Sequence, residues 1–227
     1  MARRVDNHYS LRCNRCDAMS ITDEDDCFHE PMRRIARAAV QAVRCTAEGF
    51  WKDQSPMLHI RPATPADNPE IDALLDAGFG PARHNRTAYR LREGVSSDPA
   101  LSFVARDGVT LVGSLQCWPL QVRGTAGAPL PLVLLGPVVT AVDRQGQGIA
   151  TRMMNAALAA ADAAGSPPML LIGDAPFYGR FGFSADATGH WQLPGPVDRA
   201  RLLLRGDASG FPHHGWIEAR GAVRRAA

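Results

Sequence analysis

Lysine is almost missing from this sequence: Lys52 is the only one among 25 basic residues, and the other 24 are arginine. The ATP- and GTP-binding phosphate loop needs Gly-Lys-Ser/Thr, so the absence of lysine from every glycine-rich segment excludes that class of site. Neither sign of charge is in excess, because the formal net charge is only +2. Charge therefore indicates neither nucleic acid nor a membrane surface as a partner.

Long apolar runs and a disulfide framework are missing as well. No stretch reaches the ~20 apolar residues that a transmembrane helix needs, and the N-terminus lacks the apolar core of a targeting peptide. We therefore expect a cytoplasmic protein that does not act at a membrane.

Cysteine is scarce beyond the first quarter of the chain, since Cys13, Cys16, Cys27 and Cys45 precede residue 57 and only Cys117 follows it. The Cys13-x-x-Cys16 pair alone is a weak zinc or redox signal, because no second pair stands at zinc-ligand spacing. We predict that residues 1–56 form a poorly ordered leader or appendage with at most a short helix over 31–44. Residues 57–227 are then the folding unit.

The hydrophobic pattern after Met57 predicts an antiparallel meander followed by a strand–helix–strand unit. Asp107-Gly108 is typical of a type I′ hairpin turn. The predicted strands cover residues 58–61, 101–106, 109–122, 130–142 and 169–172, and the predicted helices begin after Asp67 and cover about 85–93 and 148–164. This order indicates a mixed α/β (α+β) sheet with one parallel crossover.

A glycine-rich turn precedes the last of these helices, with small residues at Gly146, Gly148 and Ala150. Successive backbone N–H groups at a helix N-terminus form an anion site, and a diphosphate suits it. The dinucleotide-binding fingerprint is not met, because Thr151 stands where its third glycine would be. Two glycines alone do not distinguish an anion site from an ordinary tight turn, which remains the alternative.

The residues around this turn resemble the GNAT superfamily of acetyl-CoA-dependent N-acetyltransferases. Gln145-x-x-Gly148-x-Ala150 is similar to the family's Gln/Arg-x-x-Gly-x-Gly/Ala motif, and the segment from Tyr178 to Phe183 resembles its later Tyr-x-x-x-Gly-Phe element. Residues 193–197 and 201–204 are similar to the tail of a bacterial branch of predicted N-acetyltransferases. Gln145, Ala150 and Val142 replace a commoner arginine, glycine and proline.

The resemblance implies a strongly twisted, mostly antiparallel mixed sheet flanked by helices, with acetyl-CoA as co-substrate at the crossover and residues 57–227 as the acetyltransferase domain. Backbone groups of Val138, Val139 and Thr140 would pair with the pantetheine arm. The pyrophosphate would lie on the turn made by Gln145, Gly146, Gln147, Gly148, Ile149 and Ala150.

Acetyl transfer to an amine also needs a proton for the departing thiolate. A phenol with a pKa of about 10 keeps its proton at neutral pH, and the resemblance places Tyr178 beside the thioester sulfur, so Tyr178 is the candidate general acid. The alternative is that Tyr178 only packs among Phe177, Phe181 and Phe183. The general base is not identified, because Asp174 is better suited to capping the following turn.

No metal is expected, because the histidines at positions 8, 29, 59, 84, 190, 213 and 214 lack metal-ligand spacing and His213-His214 suits a solvated loop. Cys117 fits a buried small hydrophobe rather than a nucleophile. The arginines at 83, 86, 90 and 92 would face the acceptor or a nucleotide phosphate, or else form a solvated helix face.

These patterns favour an enzyme that transfers acetyl from acetyl-CoA to an amine by direct attack. The alternative is a non-catalytic acyl-CoA-binding or regulatory module that keeps the loop without turnover. We expect a small-molecule acceptor rather than a protein, and no nucleic acid partner. The sequence leaves the acceptor's identity and the oligomeric state open, with a homodimer among the alternatives.

Overall fold

The computed structural model describes residues 58–221. The predicted leader, its helix over 31–44 and its four cysteines lie outside these residues. Eight strands are formed: β1 (Leu58–Pro62), β2 (Phe103–Asp107), β3 (Thr110–Arg123), β4 (Leu130–Thr140), β5 (Met169–Ile172), β6 (Trp191–Gln192), β7 (Leu202–Arg205) and β8 (Gly215–Ala219). Four α-helices accompany them within this range: α1 (Asn68–Phe79), α2 (Thr87–Arg90), α3 (Ile149–Ala163) and α4 (Ala175–Tyr178).

The strands form one mixed sheet in the order β1-β2-β3-β4-β5-β7, with β8 beside the far half of β3 and β6 beside β8. Five of the seven pairings are antiparallel. The parallel pairs are β4–β5, which are joined through α3, and β6–β8. The predicted fold class is confirmed, including the crossover, whereas the pairing of β6 with β8 has no counterpart in the sequence pattern.

Two local predictions need correction. The β2–β3 loop is Gly108-Val109 rather than Asp107-Gly108, because Asp107 pairs with Thr110 and Gly108 takes the positive φ of +59°. The helix predicted over 85–93 is shorter, because Arg86 has extended backbone and only α2 is α-helical there. A tertiary contact holds that segment, since the Thr87 hydroxyl donates to the Pro196 carbonyl at 2.6 Å.

Helices cover both faces of the sheet. Neighbouring residues of a strand point to opposite faces. Phe103 and Ala105 pack in the cluster that contains the buried side of α3, while Val104 packs with Ile71 and Leu75 of α1. Apolar residues in α3 recur at helical spacing and are buried against the sheet: Ile149, Met153, Met154, Ala157, Leu158 and Ala161. None of the helices within residues 58–221 has the length and apolar character needed to span a bilayer.

A buried carboxylate joins the start of α1 to the first two strands. Asp67 is 2% exposed, and it accepts hydrogen bonds from Arg61 at 2.6 and 2.9 Å, from Arg106 at 2.9 Å and from the Thr64 N–H at 2.8 Å. The Arg61 hydrogen bonds are the main reason that the pKa of Asp67 lies well below its usual range. The network therefore requires the charged carboxylate.

We expect Asp67→Asn to lower the free energy of unfolding at pH 7 by about 2–3 kcal/mol, since an ion-paired carboxylate of depressed pKa contributes about that much. The contribution is present above the unfolded-state pKa of about 4 and is lost as the pH falls toward the lower folded-state pKa. Denaturant unfolding between pH 7 and pH 3 measures it. The exposed Asp186→Asn serves as control; equal pH dependence in both variants would contradict the assignment.

Candidate active site

A split in the sheet between β4 and β5 opens a cavity in the described region. The two strands pair only at Val133–Met169 and Leu134–Leu170 and then separate. From Leu135 onward, β4 keeps its pairing with β3 on one side, while its other edge has no strand partner within residues 58–221. This cavity has a volume of about 620 Å³ and lies between residues 134–138 of β4 and residues 172–174 at the end of β5.

The three predicted residues of β4 alternate along this edge. Val138 lines the larger cavity, and Thr140 lines a second cavity of about 380 Å³. Val139 points to the other face, where it is 5% exposed and packs with Ile71 and Leu75. Only its backbone is therefore available at the split.

The predicted anion loop lies at the second cavity, whose walls include Gln145, Gly146, Gly148, Ile149, Ala150 and Thr151. Gly146 and Gly148 have φ of +77° and +74°, which glycine adopts without strain. Gly148 caps α3, and the first backbone bond of the helix runs from the Arg152 N–H to the Gly148 carbonyl at 3.0 Å. The N–H groups of residues 146–151 have no protein acceptor among the described residues and are free for an anion.

The electrostatics of this helix terminus suit a negative group. The first turn of α3 contains no acidic side chain, so nothing opposes the positive end of the helix dipole. Arg144 also lines the cavity, but its guanidinium is paired with Asp107 at 2.9 Å. The backbone N–H groups are thus the principal donors of the site.

Tyr178 ends the short helix α4 after β5 and lines the larger cavity, while the neighbouring Phe177 lines the smaller one. The Tyr178 ring packs edge-on against Phe177 and Phe183, with centroids 4.9 and 6.3 Å apart. It is only half-buried, so the aromatic cluster predicted as the alternative coexists with a face on the cavity. Burial, followed by the charge of Asp174, raises the pKa of the Tyr178 hydroxyl.

Gly173 provides the space for this ring. A Cβ added at Gly173 would lie 2.2 Å from Tyr178 Cε2 and 2.6 Å from Cδ2. A side chain of any size at position 173 therefore has to displace the tyrosine. The close approach of the Tyr178 ring, rather than an unusual backbone conformation, therefore explains why position 173 is glycine.

Asp174 also lines the larger cavity, at the N-cap position of α4. The predicted capping role is only half right, because its side chain makes no capping hydrogen bond and instead pairs with Arg201 at 3.1 Å. This exposed ion pair adds no support for Asp174 as the base.

Three of the four arginines that were expected to face a ligand or solvent make other contacts instead. Arg83 is 2% exposed and pairs with Asp72 and Asp76, and the Arg92 guanidinium stacks on Tyr89 at 3.6 Å. Neither is solvated or directed at the cavity. Arg90 donates to the Pro194 carbonyl at 3.1 Å.

Arg86 alone of the four lines the larger cavity, beside Asp198 and Arg201. Those last two belong to the segment after β6. Arg201 begins a stretch that resembles the bacterial branch, but the resemblance assigns it no role, and Asp198 belongs to no quoted motif. The fold brings both to the cavity. Cys117 is fully buried, and burial raises the pKa of its thiol, as the sequence pattern predicts for a core residue.

Comparison with known proteins identifies the family. The sequence model described as "Acetyltransferase (GNAT) domain" matches residues 59–185. The uncharacterized N-acetyltransferase YhbS of Escherichia coli K12 is 30% identical over 129 residues, which are 56% of this chain and 74% of that protein. An uncharacterized N-acetyltransferase of Streptomyces avermitilis is 30% identical over 143 residues, 61% of this chain but only 34% of that protein.

Two solved structures share the fold. E. coli YhbS in complex with CoA superposes with a TM-score of 0.59 at 25% identity, covering 74% of this chain and 92% of that one. A GNAT family acetyltransferase from Brucella melitensis in complex with acetyl-CoA gives 0.51 at 25% identity, covering 74% and 98%. Because the family match spans more than half of its residues, the chain belongs to the GNAT family of acetyltransferases.

Proposed function

We propose that this protein transfers the acetyl group of acetyl-CoA to a small-molecule amine by direct attack of the amine on the thioester. One observation carries the proposal. Beside the split between β4 and β5, two neighbouring cavities present free backbone N–H donors at residues 146–151 and the phenol of Tyr178. An anion site and a proton donor are what a CoA thioester requires.

The pyrophosphate of acetyl-CoA would lie on the smaller cavity's turn, held by the N–H groups of residues 146–151 and by the dipole of α3. The two positive-φ glycines leave that surface open, because a Cβ at Gly146 or Gly148 would meet no atom within 4 Å. Backbone donors need no particular side chain, which agrees with Gln145 replacing an arginine. CoA and acetyl-CoA are the ligands of the E. coli and Brucella relatives.

The pantetheine arm would then follow the free edge of β4 from Thr140 to Val138. Its amides can pair with backbone groups there as an added strand does. Val138 and Thr140 line successive cavities, so this path leads from the anion site toward Tyr178. The thioester would lie beside the larger cavity.

In the reaction, the neutral amine nitrogen forms a bond to the thioester carbonyl carbon, and the C–S bond then breaks. Tyr178 would donate its proton to the departing sulfur and recover one from solvent, while the new ammonium group loses a proton to water. The raised pKa of Tyr178 keeps it protonated at neutral pH, and the departing thiol has an ordinary pKa near ~8.5. Because the phenol is a weaker acid than that thiol, its proton would move to the sulfur as negative charge develops there in the transition state.

The acceptor would occupy the remainder of the larger cavity, between Arg86, Asp174 and Arg201. Arg86 has no acidic partner among the described residues. An acceptor that carries a carboxylate in addition to its amine would complement that guanidinium.

Thiol release from acetyl-CoA, measured with a panel of amines, tests the proposed reaction. The panel pairs each amino acid with its decarboxylated amine, and calorimetry measures acetyl-CoA binding in parallel. Amine-dependent release supports the enzyme, with preference for carboxylated acceptors if Arg86 acts as proposed. Binding of acetyl-CoA without release to any amine in the panel would favour the non-catalytic acyl-CoA-binding module.

Gly173→Ala should lower kcat by about 10- to 100-fold. The added Cβ forces the Tyr178 ring to move by about 1 Å, and such a misplacement costs up to about 100-fold. Gly179→Ala is the matched control, because position 179 has ordinary helical φ and open space around its Cβ. Steady-state kinetics compares the two; equal kcat values would show that Tyr178 needs no exact placement.

We also propose that the catalytic unit begins near Met57. The structure's first described strand opens at Leu58, and the family match begins at residue 59. Limited proteolysis should therefore leave a stable fragment that starts between residues 50 and 58 and still binds acetyl-CoA. A stable core that begins well before residue 50 would contradict this boundary.

A further inference from the structure

His190 meets the adjacent pair His213 and His214 on the surface, away from both cavities. His190 lies with its ring centroid 4.2 Å from that of His213 and 4.8 Å from that of His214, and the last two are also 4.8 Å apart. Their candidate ligand atoms all lie within 4.8 Å of one another, and all three side chains are exposed. None of the three lines either cavity.

The fold holds two of these residues in register. β6 and β8 are parallel, with Trp191 opposite Gly215, so the preceding residues His190 and His214 stand at neighbouring positions, where strands are about 4.8 Å apart. The Trp191 indole N–H donates to the Pro212 carbonyl at 2.8 Å, and its ring packs against Phe211. Trp191 itself is 1% exposed, so the scaffold under the histidines is part of the core.

Within residues 58–221, none of the three histidines takes part in an ion pair. Each offers one ring nitrogen to the cluster, and neutral imidazole is the commonest metal ligand in proteins.

We propose that His190, His213 and His214 bind one divalent transition-metal cation, of which Zn²⁺ is the model, with water in the remaining position. Zinc–nitrogen bonds of about 2.0–2.1 Å bring tetrahedral ligand atoms to about 3.4 Å from one another. The candidate ligand atoms now lie within 4.8 Å of one another. Small rotations of the three exposed side chains would bring these atoms to the shorter separation. Imidazole is a ligand that suits zinc, nickel and copper and not calcium or magnesium.

The bound cation would connect β6 to the loop before β8 and stabilise the folded chain. It takes no part in acetyl transfer, whose groups lie on β4, α3 and α4. Any cation that binds only the folded state raises its stability by mass action. The site therefore predicts a metal-dependent rise in melting temperature.

Calorimetric titration of the full-length chain with Zn²⁺ tests the site. Because Cys13, Cys16, Cys27 and Cys45 are potential zinc ligands, all samples carry serine at these four positions. The parent should bind one Zn²⁺ per chain, and His190→Gln or His214→Gln should weaken binding by about 10-fold or more, since even indirect partners of a metal site contribute 10- to 100-fold. His59→Gln is the matched control, an exposed histidine on β1.

A thermal melt with and without Zn²⁺ supplies the second measurement. Variants that unfold cooperatively in chelator are folded, so their loss of the zinc-dependent shift reports the site alone. A shift in the parent and in His59→Gln, absent from His190→Gln and His214→Gln, supports the proposal. Equal affinity and equal shift in all four proteins, or no binding by the parent below millimolar Zn²⁺, would overturn it.

Discussion

Gly148→Asp is expected to weaken acetyl-CoA binding by about 30-fold or more, whereas Gly148→Asn should cost only a few-fold. Asparagine and aspartate have the same size, and both tolerate the left-handed backbone that position 148 requires. They differ in charge. Two unit charges about 4 Å apart repel by about 4 kcal/mol at an effective dielectric constant of 20, and half of that already corresponds to about 30-fold in affinity.

Calorimetric titration of acetyl-CoA into the two variants isolates the charge effect from the backbone effect. The expected difference should shrink as salt is added, because exposed charges are screened. Similar affinities for the aspartate and asparagine variants at low salt would show that the diphosphate does not bind at the N-terminus of α3. Circular dichroism and thermal unfolding verify that both variants are folded.

Tyr178→Phe should lower kcat by about 100-fold while leaving the affinity for acetyl-CoA within a few-fold of the parent's. The substitution removes one hydroxyl and keeps the ring that packs with Phe177 and Phe183. General acid catalysis contributes about 10²- to 10⁴-fold, and the lower end applies because a thiolate is a good leaving group.

Steady-state kinetics with saturating acetyl-CoA measures this loss. Tyr89→Phe is the matched control: it removes a phenol hydroxyl that is bonded to Arg83 and lines neither cavity. A Tyr178→Phe enzyme with full kcat would remove the tyrosine from the mechanism, and a loss confined to KM would assign it to binding alone.

Sequence patterns predict those parts of the fold and site whose physics is local. Apolar alternation locates β1, and a continuous apolar run locates β5, each to within a residue. The strand–turn–helix order predicts the parallel crossover. The glycines at 146 and 148 have positive φ, as a turn that exposes backbone N–H groups requires. In each case the signal lies within a few neighbouring residues.

The features that the sequence does not reveal depend on long-range contacts. Arginine is typical of protein surfaces, but Arg83 is enclosed by two aspartates of α1 and by the Tyr89 hydroxyl. The histidine cluster arises because a two-residue strand, β6, pairs with β8 far along the chain. The spacing of residues in the sequence predicts neither the burial of Arg83 nor the histidine cluster.

A crystal structure of the chain with acetyl-CoA would show where the cofactor binds. We expect the pyrophosphate within hydrogen-bond distance, about 3 Å, of N–H groups between residues 146 and 151. We also expect the pantetheine arm along the free edge of β4, and the thioester sulfur within reach of the Tyr178 hydroxyl. A cofactor bound elsewhere, or a Tyr178 hydroxyl that faces away from the sulfur, would contradict the proposed mode of binding and catalysis.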